Sequence, residues 1–127
     1  MILVDTSAWV DFFRNAEPRA QIVADLLESN QVALCGPVRT ELGRGLKNRR
    51  ERAQVLGLLE ACHELEQPAE LWREAGELGF GLSRKGATVK TLDLLIAVYV
   101  LSHAVPILTA DRDFALIRKA GFPIALV

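Results

Sequence analysis

Short apolar runs alternate with longer amphipathic stretches from one end of the chain to the other, and no other feature restricts the fold as strongly. Ile2 to Val4, 31–35, 63–66, 105–109 and 122–127 read as strands. Residues 7–13, 18–29, 37–46, 48–61, 68–84, 91–102 and 111–120 read as helices. Pro37 suits a first helical turn, and Gly86 and Gly121 interrupt the helical pattern. Strands that alternate with helices imply crossover connections. The expected architecture is therefore α/β, with a mostly parallel sheet of about five strands covered on both faces.

The 127 residues suit one domain, spanning 1–127, and half of them are hydrophobic, which argues against disorder. No apolar run reaches the ~18 residues a membrane span needs, and the N-terminus lacks a signal-peptide pattern. A soluble, cytoplasmic protein is expected. Cys35 and Cys62 form no metal-binding pattern and are expected to be free thiols. The net charge of −1 is misleading if acids gather in one place. With Asp5, Glu41, Asp93, Asp111 and Asp113 set aside, the rest of the chain is net positive, so a nucleic-acid partner is neither excluded nor implied.

Parallel α/β sheets place their sites beyond the carboxyl ends of the strands. Asp5 follows the first strand and Asp111 follows the strand at 105–109. Glu41 lies on the helix after the second strand. Asp93 lies in the first turn of a helix that is apolar almost all round, and it is the only charge between Lys90 and His103. Each acid has an ordinary explanation. Asp5 and Asp111 could be helix N-caps, Asp93 could answer a helix dipole, and Glu41 could be solvated. Together they read as a carboxylate cage for a hard divalent cation, because crowded carboxylates need a counter-charge. Asp113 is an outer ligand or a solvated residue. Such a site activates water and needs no Ser or Cys nucleophile.

Four segments carry a resemblance: Leu3-Val4-Asp5-Thr6-Ser7-Ala8-Trp9, Pro37-Val38-Arg39-Thr40-Glu41-Leu42, Asp93-Leu94-Leu95-Ile96-Ala97 and Ile107-Leu108-Thr109-Ala110-Asp111-Arg112-Asp113-Phe114. In order and spacing they resemble PIN-domain nucleases, and among these the VapC-type toxins of toxin–antitoxin pairs. The resemblance implies a PIN-like three-layer α/β/α fold and a Mg²⁺- or Mn²⁺-dependent endoribonuclease acting on tRNA, rRNA or mRNA. It implies Asp5 and Asp93 as main metal ligands, with Glu41 and Asp111 completing the catalytic pocket. Thr6 or Ser7 would hold Asp5 or a phosphate, and Thr109 would act beside Asp111. A VapB-type antitoxin and a homodimer are implied as partners, the antitoxin often directing an Arg toward the carboxylates.

Arg39, Arg44, Lys47, Arg49, Arg50 and Arg52 form a basic stretch, and Arg84, Lys85 and Lys90 flank the helix bearing Asp93. They read either as solvated helix faces or as phosphate-steering groups, with Arg39, Arg44, Lys47, Arg84, Lys85 and Lys90 taken as RNA-binding candidates. His63 and His103 are expected to be structural. Ala8, Trp9, Val10, Phe12 and Phe13 span roughly 200° of helix surface, twice what a core-facing stripe needs. Trp9, Phe12 and Phe13 are therefore expected to meet a partner or extra core. The alternatives are a non-catalytic RNA-binding PIN module and a DNA-directed PIN nuclease. A HAD-type phosphatase would need an Asp where Ser7 stands, and a receiver domain would need an acidic pair where Asp5 stands alone.

Overall fold

The computed structural model describes all 127 residues. The elements run β1 (Ile2–Val4), α1 (Thr6–Phe13), α2 (Arg19–Glu28), β2 (Val32–Leu34), α3 (Gly36–Arg44), α4 (Arg49–Glu60), β3 (His63–Glu64), α5 (Leu71–Arg84), α6 (Thr91–His103), β4 (Ile107–Leu108) and α7 (Asp113–Lys119). The strands form one parallel sheet in the order β3-β2-β1-β4. Leu3 pairs with both Ala33 and Ile107. The strand expected at 122–127 is reduced to a single parallel bridge, Leu126 to Ile107. Pro123 lacks the N–H a ladder needs, so pairing is confined to the end of that tail.

Consecutive strand residues point to opposite faces of a sheet. Leu3 and Val4 are both fully buried, and so are Ala33 and Leu34, so helices cover both faces. This is the three-layer arrangement. α6 is its most enclosed helix, with every residue from Asp93 to Val100 buried. α5 packs along α6, and Gly79 allows the approach, since a Cβ there would lie 2.8 Å from Leu94 Cδ1. No helix is long and apolar enough to cross a membrane.

The chain moves from β1 through β2 to β3 in one direction and then returns past β1 to β4. The strand order thus reverses between β1 and β4, where a crevice opens beyond the strand ends. Asp5 leaves β1 into that crevice, and Thr109, Ala110 and Asp111 leave β4 beside it.

Of the two readings of α1, extra core or partner, Trp9 takes the first. Trp9 is completely buried and packs against Phe12 and Phe13, with ring centroids 6.0 and 5.8 Å away. It belongs to the core rather than to a partner surface. The wide apolar arc of α1 exists because α2 lies along the helix in addition to the sheet, and Val23 is fully buried there. Phe12 is half-buried against the core, and of the three only Phe13 is exposed. The two most exposed aromatics lie on α5: Trp72 at 70% and Phe80 at 64% exposure.

Candidate active site

Asp5 occupies the N-cap position of α1, yet its side chain makes no capping hydrogen bond. It is buried, and its Oδ2 accepts from Ser7 Oγ at 3.0 Å and from Thr109 Oγ1 at 2.7 Å. The same two hydroxyls accept backbone N–H groups beyond β4: Ala110 on Ser7 at 2.9 Å and Asp111 on Thr109 at 2.9 Å. The effect is to fix Asp5 Oδ2 and leave Oδ1 without a hydrogen bond. Arg19 on α2 donates to the Thr109 carbonyl at 3.2 Å and pairs with Asp11 at 3.3 Å, bracing the turn from behind.

Asp93, Asp111 and Asp113 bring one carboxylate oxygen each within 4.8 Å of one another. Asp93 is placed by the first turn of α6, and Asp113 opens α7. Asp111 accepts the Asp113 N–H on Oδ1 at 2.9 Å, although Arg112 and not Asp111 holds the N-cap position of α7. Its Oδ2 receives the Lys90 ammonium at 2.9 Å. Asp93 is 5% exposed, and its Oδ2 is buried without a hydrogen-bond partner; Lys90 Nζ is 3.4 Å away.

Burial pushes the Asp93 carboxyl up to about 8, and the adjacent Asp113 and Asp111 carboxylates add to this while Lys90 opposes it. Burial also disfavours ionisation of Asp111, but the Asp113 N–H and the Lys90 ammonium outweigh it and hold that carboxyl below its usual value. Lys90 is raised, first by its hydrogen bond to Asp111 and then by the charge of Asp93.

Glu41 stands apart from this group of three. It projects from α3 and is held by Thr6, whose Oγ1 donates to Oε1 at 2.7 Å. The two residues line a cleft of about 280 Å³ with Arg14 and Lys47. The expectation that Thr6 or Ser7 would hold Asp5 therefore divides between two acids: Ser7 serves Asp5 and Thr6 serves Glu41.

The basic residues also divide. Arg39 pairs with Glu64 at 3.4 Å, and Lys85 reaches the Ala120 carbonyl and lies over the Phe122 ring. Lys90 is drawn into the carboxylates, which places its ammonium away from the free, phosphate-steering position expected for it. Arg44, Lys47 and Arg84 make no ion pair within the chain. Arg14 and Arg19 carry no sequence motif, because their places depend on how α1 and α2 fold back. Lys90 was legible, since it stands three residues before Asp93 on one helix end.

The ring Nε2 of His63 meets the Asn30 carbonyl, and that of His103 meets the Glu66 carbonyl, so both tie loops. Cys35 and Cys62 are free, and burial pushes them up to about 12 and about 11 respectively. Neither supplies a thiolate nucleophile.

A parallel three-layer α/β sheet with carboxylates gathered where the strand order reverses defines a small α/β domain with an all-oxygen site at the switch point. The chain belongs to the PIN domain family, whose match runs over residues 2–120. Within it, the chain is 32% identical to ribonuclease VapC11 of Mycobacterium tuberculosis over 124 residues, 94% of this chain and 92% of that protein. In structure it is similar to VapBC2 from Rickettsia felis, solved bound to a DNA fragment from its promoter. The TM-score is 0.78 at 21% identity, over 100% of this chain and 98% of the other. It is also similar to VapBC-5 of Mycobacterium tuberculosis, a member of the VapBC family of toxin–antitoxin systems. There the TM-score is 0.66 at 28% identity, over 98% and 97% of the two chains.

Proposed function

We propose that the chain is a VapC-type endoribonuclease toxin, a single domain over 1–127, that hydrolyses RNA phosphodiester bonds with Mg²⁺ or Mn²⁺ and is neutralised by a VapB-type antitoxin. The observation that carries this reading is the group Asp93, Asp111 and Asp113 with a buried oxygen on Asp93 that accepts no hydrogen bond. Buried carboxylate oxygens are costly unless something compensates them. The donors are all hard oxygens, which suit Mg²⁺ or Mn²⁺ rather than softer metals. Asp93, Asp111 and Asp113 would hold the cation, with Asp5 Oδ1 and Glu41 completing the pocket, directly or through water.

When bound, the divalent ion supplies positive charge for the scissile phosphate and lowers the pKa of a water. The chain's own residues do the positioning. Ser7 and Thr109 orient Asp5, Thr6 orients Glu41, and Arg19 stiffens the turn that carries Thr109. Arg14, Arg44, Lys47 and Arg84 are left to meet the phosphates of the RNA, which bind cations without regard to sequence. The ribonuclease name of the relative supports RNA as the substrate class. A cytoplasmic setting, where RNA substrates are found, accompanies this reading.

The exposed aromatics of α5, Trp72 and Phe80, are the surface we assign to a partner, a second copy of the chain first. The decisive experiment is cleavage of total bacterial RNA by antitoxin-free protein, with Mg²⁺ or Mn²⁺ against EDTA and with Asp93→Asn alongside. Discrete fragments that need the cation and Asp93 support the assignment. RNA binding without cleavage in any of these conditions would replace it with a non-catalytic module.

A further inference from the structure

We infer that Lys90 is a built-in counter-ion of the carboxylate group, which holds Asp93, Asp111 and Asp113 together until a divalent cation displaces its ammonium and thereby opposes cation binding. The inference rests on the proposed cation site. Lys90 is the one residue that reaches all three acids. Its ammonium lies 2.9 Å from Asp111 Oδ2 and 3.4 Å from Asp93 Oδ2, and its backbone N–H approaches Asp113 Oδ2 at 3.5 Å.

The oxygens it faces are those most open to a cation. Asp111 Oδ1 is already used by the Asp113 N–H, which leaves Oδ2, and Asp93 Oδ2 is buried with no hydrogen bond. A divalent ion compensates this three-acid group better than one ammonium does, but it must take the place of Nζ or tolerate a positive charge beside it. The Lys90 side chain is 68% exposed, so it can swing into water without opening a cavity. The backbone contact to Asp113 need not break in that movement. Lys90 thus acts as a removable stopper: it offsets negative charge in the cation-free crevice and raises the cation concentration at which the site fills.

The test is Mn²⁺ titration followed by the resonance signal of the free ion, which needs no substrate and no turnover. Wild type, Lys90→Met and Lys90→Arg are compared. Lys90→Met is expected to bind Mn²⁺ roughly tenfold more tightly, since an adjacent positive charge is gone. Its cation-free melting temperature falls below wild type, and the two converge at saturating Mn²⁺. Lys90→Arg keeps the charge and the wild-type affinity. Equal or weaker Mn²⁺ binding by Lys90→Met, with the wild type binding normally, overturns the role of Lys90 alone. Absence of Mn²⁺ binding in all three folded proteins removes the cation site and the inference with it.

Discussion

The Thr109 hydroxyl donates to Asp5 Oδ2 over 2.7 Å, joining the ends of β4 and β1 across 104 residues of sequence. Thr109 Oγ1 in turn accepts the Asp111 N–H at 2.9 Å, so one side chain sets the spacing between two acids. Thr109→Val keeps the shape and removes the hydroxyl, leaving Asp5 Oδ2 with Ser7 as its one donor and the Asp111 N–H unpaired. The expected cost is about 1–3 kcal/mol. A misplaced Asp5 is expected to lower cleavage by about a hundredfold. Thr109→Ser keeps both hydrogen bonds and most of the activity. Denaturant unfolding and cleavage assays on the pair check this, and a Val variant equal to wild type in both would remove Thr109 from the positioning network.

The Asp93 carboxyl gives the cation-free protein a defined pH dependence. An acid whose folded-state pKa lies above its unfolded value favours folding most below the unfolded value, and that contribution is lost as pH rises through the folded one. For Asp93, burial and its acidic neighbours set that window between 3.8 and about 8. In EDTA the melting temperature is therefore expected to fall as pH rises across it. Asp111, shifted the other way, contributes its dependence at the acid end, where stability is lost as pH falls. Asp93→Asn carries no ionisable proton and should flatten the profile between the two limits. A melting scan in which both proteins fall equally would show that other groups govern the slope.

How much of this was legible in the sequence differs between fold and site. The alternation of Ile2–Val4, Val32–Leu34 and Ile107–Leu108 with amphipathic helices carries the parallel sheet, because buried parallel strands must be apolar on both faces. Segment 122–127 has the same composition, but Pro123 and the lack of a further neighbour leave it one bridge. The acids at Asp5, Glu41, Asp93 and Asp111 were visible because they interrupt apolar runs or follow strands. Their grouping was not. Asp113 joins Asp93 and Asp111, whereas Glu41 is held aside by Thr6, since side-chain direction depends on the turn after β4 and on the pose of α3. The two readings of Trp9 stayed open for a related reason: periodicity counts how wide an apolar face is, but the packing of α2 decides what covers it.

Ala104 marks a strained position that the site does not use. It caps α6 in the left-handed region at φ 53 and ψ 41, where a Cβ is unfavourable, and its side chain is exposed. Ala104→Gly relieves the strain without removing a core contact. It is expected to stabilise the fold by about 1 kcal/mol, raising the melting temperature by about 4 °C with cleavage unchanged. Calorimetry on the variant checks this. A lower melting temperature would mean that the entropy glycine adds to the unfolded chain outweighs the relief.

The two tryptophans are expected to separate folding from association. Trp9 is fully enclosed beside Phe12 and Phe13, so Trp9→Ala should cost about 3–5 kcal/mol. Its effect on self-association should follow only from lost folding. Trp72 is 70% exposed on α5, so Trp72→Ala should change monomer stability by no more than about 0.5 kcal/mol. If α5 is the partner surface, the same change weakens self-association, because aromatic residues at interface centres carry much of the binding energy. Sedimentation velocity over a range of concentrations, paired with denaturant unfolding at low concentration, distinguishes the two effects. A Trp72→Ala protein that associates like wild type would move the interface off α5, and Phe13, the exposed aromatic of α1, would be the next residue to replace.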